Sequence, residues 1–265
     1  QGINIAGVKF GKSKAQYFMD KDENTIYQGI GSIKYCNNQI ADELYELSKN
    51  NYDNFIDLLV DIISKTSVDD RQLHILTTLN FFSEFGKNKY LLEIIDLYNS
   101  LGTCKTFKKE KIAAIGIDEN IVRECAEKET PKQYSAVNKR KLVKMLIGMF
   151  ENKSLSVKEQ VLKEQEYLGN ITYKNPSAPE NMFYVIECKF YKDKTKPYLQ
   201  LYDLKNGEYL KTKITSGKSF IENPFDTNNV IHVKEFGEKN KMKKINGSWV
   251  KTDETEKIVK KWTVY

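Results

Sequence analysis

Hydrophobic residues recur at helical spacing through the middle of the chain. In residues 54–64 they follow the spacing of one helix face, and they are Phe55, Leu58, Leu59, Ile62 and Ile63. Patterns of the same period predict further helices near residues 40–47, 69–82, 87–100, 118–128, 139–150 and 156–168. The chain is therefore predicted to be helical from about residue 38 to about residue 168.

From residue 182 onward apolar and polar residues alternate, which is typical of β-strands. Five strands are predicted, at residues 182–190, 198–204, 209–214, 230–236 and 262–265. Two of the turns between them contain the hairpin dipeptides Asn206-Gly207 and Asn246-Gly247. Strands of this number, order and length predict an OB-type β-barrel.

These patterns divide the chain into three parts and give an α+β fold. Residues 1–35 are an extended lead-in that ends in a first hairpin, and residues 36–169 form an all-helical helix-hairpin-helix region. A linker with Pro176 and Pro179 follows, and residues 180–265 form the five-stranded OB-type β-barrel. The chain begins with Gln1 and has no initiator Met, so we expect a fragment of a longer protein.

The positive charge is concentrated in the last third of the chain. Net charge is +6 over 265 residues, and residues 171–265 alone hold 18 lysines and 12 acidic residues, while residues 1–170 are balanced. This asymmetry indicates a polyanionic partner, although a lysine-rich solubilising surface explains it equally well. Four widely spaced cysteines and the lack of a long apolar run predict a cytoplasmic protein that does not contact a membrane.

Two glycine-containing hairpins are candidate contacts to a DNA duplex. A Gly-hydrophobic-Gly turn before a helix can hold a phosphate through backbone N–H groups, without reading base sequence. The candidate residues are Gly29, Ile30, Gly31, Ser32 and Lys34 in the first hairpin and Gly86, Lys87, Asn88 and Lys89 in the second. The alternative is that both are structural turns, since a single glycine after a helix is usually a C-terminal cap.

One face of the predicted barrel combines aromatic rings with lysines. Such a face suits single-stranded nucleic acid, because rings stack on bases while lysines follow the phosphates. The residues placed there by alternation are Phe183, Lys189, Tyr191, Tyr198, Gln200, Tyr202, Tyr209, Lys211 and Lys213. The alternative is that tyrosine and lysine simply favour exposed strand positions.

Several short segments, in order, resemble bacterial replicative DNA polymerase III alpha subunits (family C). Residues 26–34 resemble the family's I-x-x-G-[LI]-x-x-I-K stretch, after a lead-in at residues 2–5 and Ser13. Residues 71–82 are similar to R-x-L-x-x-L-I-x-x-G-x-F, with Asn80 in place of glycine, and residues 164–169 resemble E-x-E-x-L-G. The resemblance implies the end of the fingers domain, a tandem helix-hairpin-helix region and an OB domain.

The resemblance also bears on catalysis and partners. It implies that the palm, with its catalytic aspartates and its magnesium ions, is missing from this chain, so no cofactor is expected here. The family's sliding-clamp peptide has its best match at residues 133–137, which lack the usual Phe. Clamp binding through this chain is therefore a weak expectation.

Three functions are compatible with these features. The leading hypothesis is a non-catalytic DNA-binding part of a DNA-directed DNA polymerase, with the hairpins gripping duplex and the OB face binding single-stranded DNA. The second is a stand-alone single-stranded nucleic-acid-binding protein with a helical adaptor. The third is a helix-hairpin-helix DNA repair enzyme such as a glycosylase, for which Asp57 and Asp61 are the carboxylates in range.

Overall fold

The computed structural model describes residues 2–102, 104–245 and 248–265, and its fold is α+β. Contacts divide the chain into two compact units. The first comprises Gln1–Ser156 and Glu166–Leu168, and the second comprises Val157–Gln165 and Gly169–Tyr265. Within the described ranges, no helix is both long enough and apolar enough to cross a membrane.

The helices of the described residues lie mainly in the middle of the chain. They are α1 (Asn38–Leu47), α2 (Phe55–Lys65), α3 (Asp70–Thr78), α4 (Asn88–Ser100), α5 (Lys109–Ile115), α6 (Glu119–Cys125), α7 (Lys139–Leu146), α8 (Val157–Leu168) and α9 (Gly217–Glu222). The predicted helices are confirmed near these places, but α5 and α9 were not predicted. Both are short, and neither has enough turns to establish an apolar period.

Side-chain caps fix where several helices begin. Asn37 accepts a hydrogen bond from the amide of Ile40 at the start of α1, and Asn54 accepts one from the amide of Asp57 at the start of α2. Below these caps the apolar stripe of α2 packs into the core of the first unit, although its last member, Ile63, is 45% exposed. A cluster of aromatic rings completes this core, and its members are Phe10, Phe55, Phe81, Phe82 and Phe85.

The first unit is not entirely helical, which corrects the predicted all-helical region. Its strands are β1 (Asn4–Ala6), β2 (Phe18–Asp20), β3 (Thr25–Tyr27), β4 (Phe107–Lys108), β5 (Lys128–Glu129) and β6 (Gln133–Ser135). They form two small sheets, with orders β1-β3-β2 and β4-β6-β5. Since β3 precedes the first hairpin, that hairpin joins a strand to a helix and is not part of a helix-hairpin-helix.

The second unit is built on a five-stranded antiparallel sheet of order β11-β10-β7-β8-β9. Its strands are β7 (Met182–Lys189), β8 (Tyr198–Asp203), β9 (Tyr209–Lys213), β10 (Val230–Ile245) and β11 (Ser248–Val264). The sheet is not closed into a barrel, because β9 and β11 do not pair as neighbouring strands, and the bridge between Ile214 and Val259 is isolated. The predicted turn at residues 246–247 lies outside the described residues.

Candidate nucleic-acid interface

A β-bulge in β7 changes which residues share a face of the sheet. The register between β7 and β8 shifts between Val185 and Glu187. Side chains on the two sides of this shift do not alternate in step, so a face predicted from one end of β7 is wrong at the other end. Phe183 therefore lies in the main core of the second unit, 4% exposed. Its predicted place on the nucleic-acid face was wrong.

One half of the outer sheet face is covered by other parts of the second unit. Tyr202 of β8 and Tyr184 of β7 pair in register and pack with Val161 of α8, Ile171 and Leu204. Burial raises the pKa of both tyrosines to about 12. Tyr202 is 1% exposed, so it cannot stack on a base, and its prediction as a binding residue was wrong. We call this the covered half.

Glu164 fastens the segment that covers this half. Its carboxylate is buried and accepts hydrogen bonds from the amides of Thr172 and Tyr173, at 2.6 and 2.7 Å. The Thr172 hydroxyl and the Gln160 side chain donate to it as well. The carbonyl of Tyr173 in turn accepts the Tyr202 hydroxyl hydrogen bond at 3.0 Å. The first glutamate of residues 164–169 therefore has a structural role that the sequence pattern did not indicate.

The other half of the face is open and carries most of the predicted residues. Its members are Glu187, Lys189, Tyr191, Tyr198, Gln200, Lys211 and Lys213, and we call it the open half. Apart from Lys213, these residues line a shallow cavity of about 230 Å³. Glu187 was not named among the predicted residues, although its alternation with Lys189 and Tyr191 already places it on this face.

Two exposed tyrosine rings form the centre of the open half. Tyr191 is 57% exposed and Tyr198 is 48% exposed, and their rings meet edge to face at 5.1 Å. Lys189 lies 5.6 Å from the Tyr191 ring centroid, and Lys213 lies 5.5 Å from that of Tyr198. The remaining predicted tyrosine, Tyr209, is exposed but packs its ring on Tyr202, at the margin of the covered half.

The lysines of the open half differ in how far their charges are compensated. Lys213 forms an ion pair with Glu256, and Lys189 lies 4.0 Å from Glu187. Lys211 is exposed and has no ion pair within the part of the chain that the structure describes. It is the cation best placed to bind an added anion.

The first hairpin is a packed structural turn. The amides of Ile30 and Gly31 donate to the carbonyls of Lys14 and Ala15, and the amide of Lys34 donates to the carbonyl of Tyr167. Ser32 also bonds internally, since its hydroxyl donates to the Gly29 carbonyl. These N–H groups are not free to hold a phosphate, which contradicts the predicted cradle.

The glycines of this hairpin are required by a close backbone approach. A Cβ on Gly29 would lie 2.6 Å from the Gln16 carbonyl carbon, and one on Gly31 would lie 2.5 Å from the Asn38 Oδ1 atom. Both glycines therefore allow residues 15 and 16 to pack against the turn. Neither the tight packing nor the bonded amides leaves room for a phosphate at this point.

The second hairpin is also held by internal hydrogen bonds. The amide of Lys87 donates to the Asn152 side chain, and that of Lys89 donates to the Asn88 side chain. Asn88 is buried, and its side chain donates to the Thr78 carbonyl and accepts from the amide of Leu155. This hairpin, which includes Gly86, ties α4 to residues 152–155, and its contact with duplex stays a prediction.

The other candidate residues of the first unit are also engaged. Asp57 forms ion pairs with Arg140 and Lys144, and the Arg140 guanidinium lowers the pKa of its carboxyl to about 2. The segment considered for clamp binding contains β6, the central strand of its small sheet, with Tyr134 fully buried. Within the described residues, no cluster of three or more metal-ligating side chains is present.

The chain was compared with known proteins. No protein-family model matches it, and no curated protein has a significantly similar sequence.

Proposed function

We propose that this chain binds single-stranded nucleic acid through the open half of the sheet in its second unit. The observation that carries the proposal is a row of residues across three neighbouring strands. Lys189, Tyr198 and Lys213 are paired in register, so a tyrosine stands between two lysines about 4.8 Å away on either side. A base stacked on the tyrosine would have its phosphates within reach of the lysines.

A second row supports the same interface. Glu187, Gln200 and Lys211 are paired in register two residues further along, about 7 Å from the first row. Gln200 can donate and accept hydrogen bonds at base edges, and Lys211 supplies an uncompensated charge. Stacking on Tyr191 and Tyr198 tolerates any base, because every base has an aromatic face.

The order of strands supports an OB-type arrangement of this unit. An OB fold is a partly open five-stranded barrel that binds oligonucleotides on the face of its second and third strands. In the second unit these strands are β8 and β9, which carry Tyr198, Gln200, Lys211 and Lys213. The bridge between Ile214 and Val259 would be the point at which the sheet curls toward closure.

The resemblance to family C polymerases suggests the wider role. We propose that the chain is a non-catalytic part of a replicative DNA-directed DNA polymerase, and that the second unit holds single-stranded DNA. The duplex grip by the two hairpins is no part of this proposal, since the amides of Ile30, Gly31, Lys87 and Lys89 are bonded within the chain. The ion pairs of Asp57 also argue against a repair enzyme that uses this carboxylate.

The test is a binding titration with a labelled thymidine homopolymer, read by fluorescence anisotropy. The double variant Tyr191→Ala/Tyr198→Ala should bind roughly tenfold or more weakly, since stacking contributes about 1–3 kcal/mol per base. Tyr265→Ala is the control, because Tyr265 is an exposed tyrosine of the same unit outside the open half. Equal affinity of the folded double variant and the wild-type chain would contradict the proposal.

A further inference from the structure

Strands β10 and β11 continue beyond the sheet as a two-stranded ribbon. Strand β10 pairs with β7 only through Val230, Ile231 and His232, whereas its pairing with β11 extends to Ile245 and Ser248. We call residues 237–245 and 248–257 the ribbon. At about 3.3 Å per residue it projects roughly 25 Å.

Side-chain hydrogen bonds join the two strands of the ribbon. At the bulge between Asn240 and Met242, the Asn240 side chain donates to the Thr252 carbonyl at 2.9 Å. The Thr252 hydroxyl donates back to the Lys241 carbonyl at 3.0 Å. Most of the ribbon's described side chains are exposed, among them Met242 at 47%.

The outer part of the ribbon is strongly basic. Residues 239–251 contain five lysines and no acidic residue. Glu254 pairs with two of them, Lys241 and Lys243, and these lysines lower the pKa of its carboxyl. The other three lysines have no ion pair to any described residue, and they are Lys239, Lys244 and Lys251.

The register places two of these lysines on one side of the ribbon. Lys251 pairs with Met242, and Lys244 lies two residues beyond Met242 on the same strand. Their side chains therefore point to the same face, about 7–8 Å apart on the diagonal. Charges with this spacing on a narrow projecting element are suited to a linear polyanion.

The base of the ribbon adjoins the open half. Glu256 forms its ion pair with Lys213, and the Thr212 hydroxyl donates to the Lys257 carbonyl at 2.8 Å. A nucleic-acid strand that leaves the open half past Lys213 would thus meet the ribbon. This continuity, together with the charge of the ribbon, favours nucleic acid over other polyanions as the occupant.

We propose that the ribbon binds the phosphate backbone of a nucleic-acid duplex that continues from the bound single strand. The major groove of a duplex is about 12 Å wide and admits a two-stranded ribbon. Lys239, Lys244 and Lys251 would contact phosphates. The inference rests on the proposed function, and it adds a contact to duplex that the open half does not supply.

The experiment compares two triple variants on two probes, a thymidine homopolymer and a duplex with a thymidine tail. The ribbon variant is Lys239→Gln/Lys244→Gln/Lys251→Gln. The control is Lys218→Gln/Lys260→Gln/Lys261→Gln, which removes the same charge from exposed lysines of the same unit outside the ribbon. Affinities are measured between about 50 and 200 mM salt, the range over which phosphate contacts change binding most clearly.

The ribbon variant should bind the tailed duplex more weakly and with a flatter salt dependence than the control. Each lost phosphate contact reduces the slope of log K against log salt by about 0.9, so three contacts give about 2.7. Homopolymer affinity should change less than about threefold, as for surface substitutions away from a site. A second variant joins the in-register pair Lys239 and Glu256 by Asn-Gly and so removes Lys244 and Lys251 but keeps Lys239. It should reduce the slope by about 1.8, as expected for two lost contacts.

Three results would overturn the inference. The first is equal salt slopes of the ribbon variant and the control on the tailed duplex. The second is an equal loss in both variants, which would indicate only a general effect of charge. The third comes from anionic phospholipid vesicles as an additional probe, and it is loss of vesicle binding in the ribbon variant without any effect on the tailed duplex. Failure of the proposed function would instead appear as unchanged homopolymer binding by Tyr191→Ala/Tyr198→Ala.

Discussion

Replacement of Glu164 by alanine tests how the covered half is held in place. The substitution removes the acceptor of the Thr172 and Tyr173 amides, which lie 2.6 and 2.7 Å from one carboxylate oxygen. A buried donor left unpaired costs about 1–3 kcal/mol. Two donors would add up to about 2–6 kcal/mol in the free energy of unfolding of the second unit, and we expect the lower end because Thr172 is exposed and water can reach its amide.

Glu164→Gln is the matched control for this prediction. Its amide oxygen can still accept from the two backbone amides, whereas the hydrogen bond from the Gln160 side chain is lost where its NH₂ group meets the new one. This variant should lose only about 1 kcal/mol, the net contribution of an ordinary hydrogen bond.

Tryptophan fluorescence gives an assay that is specific for the second unit. Both tryptophans of the chain, Trp249 and Trp262, belong to this unit, and Trp262 is buried in its core. Urea unfolding followed by this signal yields the free energy of each variant. Equal free energies of unfolding for Glu164→Ala and Glu164→Gln would contradict the role of Glu164 in holding the covered half.

Three further predictions concern stability. Tyr202→Ala should destabilise the second unit by about 3–5 kcal/mol in the same urea assay, as expected for the loss of a buried aromatic ring; a variant with wild-type stability would contradict the burial of Tyr202. Gly29→Ala should lower the thermal stability of the first unit because its Cβ meets backbone atoms, whereas Gly148→Ala, whose Cβ meets nothing within 4 Å, should not; equal melting temperatures would contradict the close packing of the hairpin. The pKa of Asp57 is lowered in the folded chain by Arg140, so its ion pairs stabilise the fold above about pH 4 and are lost as the pH falls toward 2. Asp57→Asn should cost about 1 kcal/mol at neutral pH and flatten the acid limb of urea-unfolding free energies; an unchanged limb would contradict this.

The helices could be predicted because their signals are local. The apolar stripe of residues 55–62 and the caps at Asn37 and Asn54 lie within one or two turns of the helices they define. The turn after α3 also has a local signal. Asn80 has φ +63°, and asparagine tolerates this left-handed conformation better than most residues.

The composition of the sheet face could be predicted only in part, because it depends on contacts distant in sequence. Nothing in residues 182–189 indicates a bulge, yet the shift between Val185 and Glu187 moves Phe183 into the core. Tyr202 has the same strand pattern as Tyr198, and it is buried only because Glu164 fastens a distant segment over it. The first hairpin was misread for a similar reason, since the acceptors of its amides lie elsewhere in the first unit.

The extent of the ribbon was also missed. Alternation is clear in residues 230–236, but residues 237–257 are mostly polar in sequence and have no buried side chain among those described. A strand without an apolar face gives no period-two signal. The pairing of the two ribbon strands is set by their mutual backbone ladder and by the hydrogen bonds of the Asn240 and Thr252 side chains.

Photo-crosslinking locates bound nucleic acid on the wild-type chain without any substitution. A thymidine homopolymer that carries 5-iodouracil is irradiated with the protein, and the attached peptides are identified by mass spectrometry. We expect crosslinks at Tyr191 and Tyr198 and none at Tyr184 or Tyr202, which are buried beneath the covering segment. Crosslinks confined to the first unit, or an absence of crosslinks at both exposed tyrosines under conditions in which the oligonucleotide is bound, would contradict this expectation.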